Sequence, residues 1–134
     1  MIDNTLCVVD HGLFAELAIR LARDFKRVLY FVPWTAEFPL IGDRLLGFGL
    51  DNIERIEDPY VPSVIDEVDT YVFPDIFDGG IQELLARQGK AVWGSREGDS
   101  LETRRVWFRE WQAENGMPVR SWMFVSHYDD AAMR

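Results

Sequence analysis

The chain has 134 residues, a size that fits one domain with at most a short appendage, and 48% of them are apolar against 28% charged. It carries 14 Lys and Arg against 23 Asp and Glu, a formal charge of −9, which repels phosphate backbones and anionic lipid and so argues against non-specific nucleic-acid or membrane binding. The single cysteine, Cys7, excludes an intrachain disulfide and a Cys-rich metal site. No basic, apolar leader opens the sequence and the longest apolar run, Val28 to Trp34, is far shorter than a membrane span. A cytoplasmic protein is expected.

The first forty residues read as a βαβ unit. Leu6-Cys7-Val8-Val9 is an unbroken apolar run, as in a strand covered on both faces of a parallel sheet. Asp10-His11-Gly12 ends it. Leu13, Phe14, Leu17, Ala18, Leu21, Ala22 and Phe25 then recur at helical spacing, opposite a polar face of Glu16, Arg20, Arg23 and Asp24. Lys26-Arg27 is expected near that helix's C-terminus, where the dipole favours positive charge. Val28 to Val32 predicts a second strand, stopped by Pro33.

Residues 34–67 are punctuated by Pro39, Gly42, Gly47, Gly49, Pro59 and Pro62, and read as an excursion with one short strand within Asp51–Ile56. A second unit follows. Asp69–Phe73 predicts a strand ended by Pro74-Asp75, and Asp78 stands where it can cap a helix from about Gly79 to Gln88 with Ile81, Leu84 and Leu85 inward. Gly89 closes that helix, and Ala91-Val92-Trp93 predicts another strand before Gly94. The repeated order of apolar strand, acid-bearing turn, amphipathic helix and strand predicts an α/β fold: an open, mainly parallel sheet with helices on both faces.

The last third reads differently. Asp99-Ser100-Leu101-Glu102 has the form of a capping box, opening a long helix from about Ser100 to Asn115 that carries Leu101, Val106, Trp107, Phe108 and Trp111. Gly116 and Pro118 stop it. Ser121–Val125 predicts a strand, Ser126–Asp130 a turn, and Asp129-Asp130 the start of a further helix at the chain's end. The division expected is an α/β domain over residues 1–98 and a helix with a first strand of another lobe over 99–134.

In an open parallel sheet, ligands bind beyond the carboxyl ends of the strands. Asp10, His11 and Gly12 fall there after the first strand. Pro74, Asp75, Asp78, Gly79 and Gly80 fall there after the strand ending at Phe73. Glycines allow close backbone approach, and carboxylates suit ligand hydroxyls, amines or a hard cation. Each has a structural reading beside this one: Asp78 as an N-cap, Asp10 as a partner of turn donors, His11 as a turn-stabilising side chain, Cys7 as a buried inert thiol. No glycine-rich dinucleotide loop, Walker A loop, zinc spacing or G-x-S-x-G elbow is present. Ser126, His127 and Asp129 are sequence-local and do not make a triad. A receiver-like reading, with Asp75 as phosphoacceptor and Asp10 beside Mg²⁺, meets His11 where a second acid is required. It also lacks a lysine ending a final strand.

The stretch Phe73–Leu85, followed by Gly89-Lys90-Ala91-Val92-Trp93-Gly94, resembles glycinamide ribonucleotide synthetase (phosphoribosylamine–glycine ligase), whose family has G-P-E-x-P-L…G-L…L and then G-x-x-V-F-G-P. Ser100–Arg104 with Phe108 is similar to the family's L-E-x-S-K-x-F helix, and Gly116–Val119 to its G-I-P-T. The order holds over about sixty residues. The resemblance implies a Rossmann-like pre-ATP-grasp domain, the substrate-recognition part of a carboxylate–amine ligase that is not catalytically complete by itself. Strand Trp122–Val125 would then begin the ATP-grasp lobe. Asp75 falls at the family's turn glutamate and Gly80 near its following glycine, which makes both substrate-side candidates. ATP and Mg²⁺ are implied only for later lobes, bearing lysines and acidic ligands, and none is expected on this chain. The family's opening G-x-G-x-R-E-H-A-L is represented by Asp10–Ala18, with an acid in place of an anion-binding loop. The expected partner is a small-molecule substrate, with a homodimer through the aromatic helix as a further expectation. A stand-alone binding or interaction module that kept the fold and lost the ligase chemistry is the alternative.

Overall fold

In a computed structural model, residues 1–33, 49–123 and 125 are described. Five strands form one all-parallel sheet: β1 (Ile2–Val9), β2 (Phe25–Phe31), β3 (Ile53–Ile56), β4 (Thr70–Val72) and β5 (Ala91–Trp93), in the order β3-β2-β1-β4-β5. Three helices accompany them: α1 (Ala15–Leu21), α2 (Pro62–Glu67) and α3 (Gly79–Arg87). The sheet is therefore the expected open α/β sheet. Its order reverses at β1, which has β2 on one side and β4 on the other.

The alternation of side chains along each strand assigns the two faces. Leu6 and Val8 of β1, Val28 and Tyr30 of β2, and Val72 of β4 pack with Ala15, Ala18 and Ala22 from the α1 segment. Cys7 and Val9, Leu29, Tyr71 and Phe73 line the other face, with Val64 of α2 and Ile81 and Leu85 of α3 against them. Burial on both faces explains why these strands read as continuous apolar runs. In-register pairs run across the sheet: Leu6 with Val28 and Thr70, Val8 with Tyr30 and Val72, and Tyr30 with Arg55.

Several local expectations are corrected. α1 ends at Leu21, and Lys26 and Arg27 belong to β2, since Phe25 already lies in the sheet. Lys26 there reaches Asp3 at 2.6 Å, while Arg27 pairs with Glu54 at 2.6 Å and with Glu67. Residues 62–67, read as part of an irregular excursion, include α2, with Pro62 in the first turn where its missing N–H costs nothing. The loop before α2 is pinned by the buried Tyr71 hydroxyl, which donates to the Pro59 carbonyl at 3.0 Å. Asn52 donates to the carbonyls of Ala22 (2.5 Å) and Phe25 (2.9 Å), joining the approach to β3 to the α1–β2 turn.

A 3₁₀ turn, Arg96–Asp99, ends the first compact unit, Met1–Asp99; the second spans Ser100–Arg134. The second unit contains α4 (Ser100–Thr103) and α5 (Arg105–Glu114). The expected single helix is thus broken at Arg104, whose φ of −111° and ψ of 63° leave the helical region. Gly116 takes the left-handed φ of 68° expected of a helix stop. Ser121, Trp122, Met123 and Val125 form no strand. The expected turn at Ser126–Asp130, the following helix start, His127, Pro39, Gly42 and Gly47 lie outside the described residues. Among the described residues no helix is long and apolar enough to cross a membrane.

Candidate functional site at the carboxyl edge of the sheet

The chain turns to opposite sides of the sheet after β1 and β4, and a crevice at such a reversal is where open α/β sheets hold ligands. The loop 10–14 and the loop 73–78 flank it. Asp10 is fully buried. One carboxylate oxygen, Oδ1, accepts from the Gly12 and Leu13 N–H groups at 3.0 and 3.1 Å. The other, Oδ2, accepts from the Phe14 N–H at 2.9 Å and from the Tyr30 hydroxyl at 2.7 Å. Gly12 turns the backbone with a φ of 104°, a conformation suited to glycine. Burial, followed by the adjacent Asp10 carboxylate, pushes the Tyr30 hydroxyl well above its ordinary pKa, so it stays a donor. Asp10 therefore orders the loop from within, and its oxygens are engaged by the protein's own donors.

His11, next in sequence, reaches from the first of these loops to the second. Its Nε2 lies 3.1 Å from Asp78 Oδ2, with both side chains partly exposed, and its ring meets Phe77 edge-on at 5.0 Å. Asp78 occupies the N-cap position of α3 but makes no side-chain cap bond, and its φ of 69° is left-handed. Its carboxylate is turned to the histidine. At the start of α3 it is Asp99 Oδ2 that accepts the Gly79 N–H, at 3.1 Å. A Cβ on Gly79 would meet the Arg96 carbonyl at 2.3 Å, so this contact requires glycine, whereas Gly80 has open space. Asp75 Oδ1 accepts the Ile76 N–H at 2.8 Å, and Pro74 precedes it, both partly buried in the turn after β4.

Gln82, fully buried on α3, had no signal in the sequence beyond its place on an amphipathic helix. It donates to the Phe77 carbonyl at 2.8 Å and accepts from the Arg96 N–H at 2.8 Å. One amide thus ties the β4 loop to the turn after β5. Gly94 makes room for it, since a Cβ there would meet Gln82 Oε1 at 2.3 Å. Tyr30 also escaped the sequence reading, being hidden in an apolar strand; an aromatic hydroxyl one strand away from a buried acid is the pattern that reveals it.

The carboxyl edge thus brings together His11 and Asp78 by direct contact, with Gly12 and Asp75 on the loops that flank them. The arrangement suits an imidazole oriented by a carboxylate, able to give or take a proton or hydrogen bond at a ligand hydroxyl or amine. Two positions where backbone N–H groups could face an anion, the Asp10 loop and Gly79, already hold internal carboxylates. The N–H groups at these two positions are therefore already engaged where a ligand phosphate would have to meet them. Among the described residues no three His, Cys, Asp or Glu side chains gather as a metal site. No family model, curated protein or solved structure matches this chain.

Proposed function

We propose that this chain is a small-molecule-recognition domain whose ligand sits at the carboxyl edge, between the loops following β1 and β4. Its finer identity, on the motif likeness, is the substrate-recognition domain of an ATP-grasp carboxylate–amine ligase. One observation carries the reading: the His11–Asp78 bridge across the reversal point, with Asp78 in a left-handed conformation. Non-glycine residues held in such conformations concentrate at functional sites. Asp78 and His11 are the recognition groups, Gly12 and Gly80 give the backbone close approach, and Asp75 and Pro74 shape the opposite wall. Asp10 and Gly79 hold those loops in place. The ligand class is a metabolite with hydroxyl or amine groups.

The test is calorimetry on the purified chain against amino acids, sugar phosphates and nucleotides, with His11→Ala and Asp78→Asn beside the wild type. Stoichiometric binding of an amine or polyol, weakened at least tenfold in both variants, supports the reading. Binding unaffected by both variants, or none across the set, contradicts it.

The alternative, an interaction module, has its own support in the second unit. Leu101, Val106 and Trp107 are exposed, and no described residue of that unit is fully buried. Light scattering across a concentration series checks it, with a dimer lost in Trp107→Ala as the supporting result.

A further inference from the structure

A cavity opens on the same edge of the sheet, at the ends of β2 and β3. Its volume is about 360 Å³, and Phe31, Val32, Pro33, Arg55, Ile56 and Glu57 line it. Arg55 is partly buried and is the register partner of Tyr30, the residue that donates to Asp10. Neighbours in a parallel register share a face, so Arg55 stands beside that buried pair, near enough for its charge to act on the Tyr30 hydroxyl.

The Arg55 guanidinium has no hydrogen bond or ion pair among the described residues. The cations lining the larger cleft at the opposite edge of the sheet differ: Lys26 is paired with Asp3, and Arg27 with Glu54 and Glu67. A guanidinium carries five N–H donors in a rigid fork, and a partly buried one is well placed to take a planar acceptor in two-point contact.

We propose that this cavity is a carboxylate subsite built on the Arg55 fork, receiving the acid end of the ligand whose other end lies at His11 and Asp78. The inference rests on the reading of the carboxyl edge as the ligand site. A carboxylate fits better than a phosphate. Among the described residues no second cation lines the cavity, and the Glu57 carboxylate beside it opposes a dianion, while the planar fork matches a carboxylate in two-point contact. The walls of Phe31, Val32, Pro33 and Ile56 lower the local dielectric and strengthen that contact. The cavity and the crevice lie about two strand spacings apart, roughly 10 Å, which sets the separation of the ligand's acid from its amine or hydroxyl.

The experiment is a nitrogen-resolved NMR titration of the full chain, following the Arg55 side-chain Nε–H and the backbone amides. The probes are acetate, succinate and 6-aminohexanoate, with inorganic phosphate as the contrast. The expected result is saturable movement of Arg55 and of residues 31–32 and 55–57 with the carboxylates. Affinity falls at least tenfold in Arg55→Gln and severalfold in Arg55→Lys, and phosphate does not compete. Silence of Arg55 in the wild type, an unchanged response in Arg55→Gln, or tighter binding of phosphate would overturn the subsite. Movement at 55–57 with no response to 6-aminohexanoate at 10–14 and 73–80 counts instead against the crevice reading, so the two failures are distinct.

Discussion

Asp10 illustrates how one side chain can look like a ligand group and act as a frame. Its four acceptor contacts close the loop between β1 and α1 from inside, and a buried carboxylate depends on every one of them. Asp10→Ala is expected to cost about 3 kcal/mol or more in urea denaturation, because three N–H groups and a hydroxyl lose their shared partner. Tyr30→Phe, which removes one of the four bonds, should cost about 1–2 kcal/mol. Equal effects of the two variants would show that the loop is held by something else. The glycines give a sharper contrast. Gly79→Ala must displace the Arg96 carbonyl and should destabilise by about 1–3 kcal/mol. Its neighbour Gly80 has free space on α3, so Gly80→Ala should stabilise by roughly 0.5 kcal/mol. Thermal unfolding of the two variants checks the opposite signs.

At the scale of elements, α3 holds the two loops beyond β4 and β5 together through Gln82. Gln82→Leu keeps the volume but strands the Phe77 carbonyl and the Arg96 N–H, at an expected cost of about 2–4 kcal/mol. Hydrogen exchange should rise at 73–78 and 94–99 together; faster exchange in one loop alone would refute the coupling. β1, β2, β4 and α3 were legible in sequence because the apolar runs of the strands and the helical spacing of Ile81 and Leu85 reflect burial directly. α2 was not, because six residues make fewer than two helical turns, and a proline in a first turn reads as a break. The start of β2 was misplaced because Phe25 satisfies the spacing of α1 as well as the pleat of the sheet. Arg104 breaks the last helix without glycine or proline to announce it. The site loops were legible as positions, but the pairing of His11 with Asp78 joins residues 67 apart and is a product of topology.

For the molecule as a whole, the stacked layers set its response to alkali. Burial pushes the Cys7 thiol from 9.0 up to about 12, and Tyr71, on the same face, is raised above its ordinary value by burial as well. Raised acid groups favour the native state while they stay protonated, so that contribution is complete below the unfolded pKa and is lost as pH climbs toward the folded one. Cys7 alone should remove roughly 1.4 kcal/mol of stability per pH unit between 9 and 12. Urea denaturation across that window should show a shallower decline in Cys7→Val than in the wild type, and parallel curves would contradict it.

The molecule has an open cleft of about 570 Å³ at the amino-terminal edge, larger than the cavity at Arg55, but its lysine and arginine are already matched to acids. Recognition is assigned to the opposite edge on chemistry and topology, not on size. Amide NMR mapping of the chain with any metabolite that binds it tests that assignment most directly. Shifts gathered at 10–14 and 73–80 are predicted; shifts gathered at Asp3, Lys26, Asp51 and Asp69 would place the ligand at the wrong end of the sheet and contradict the account.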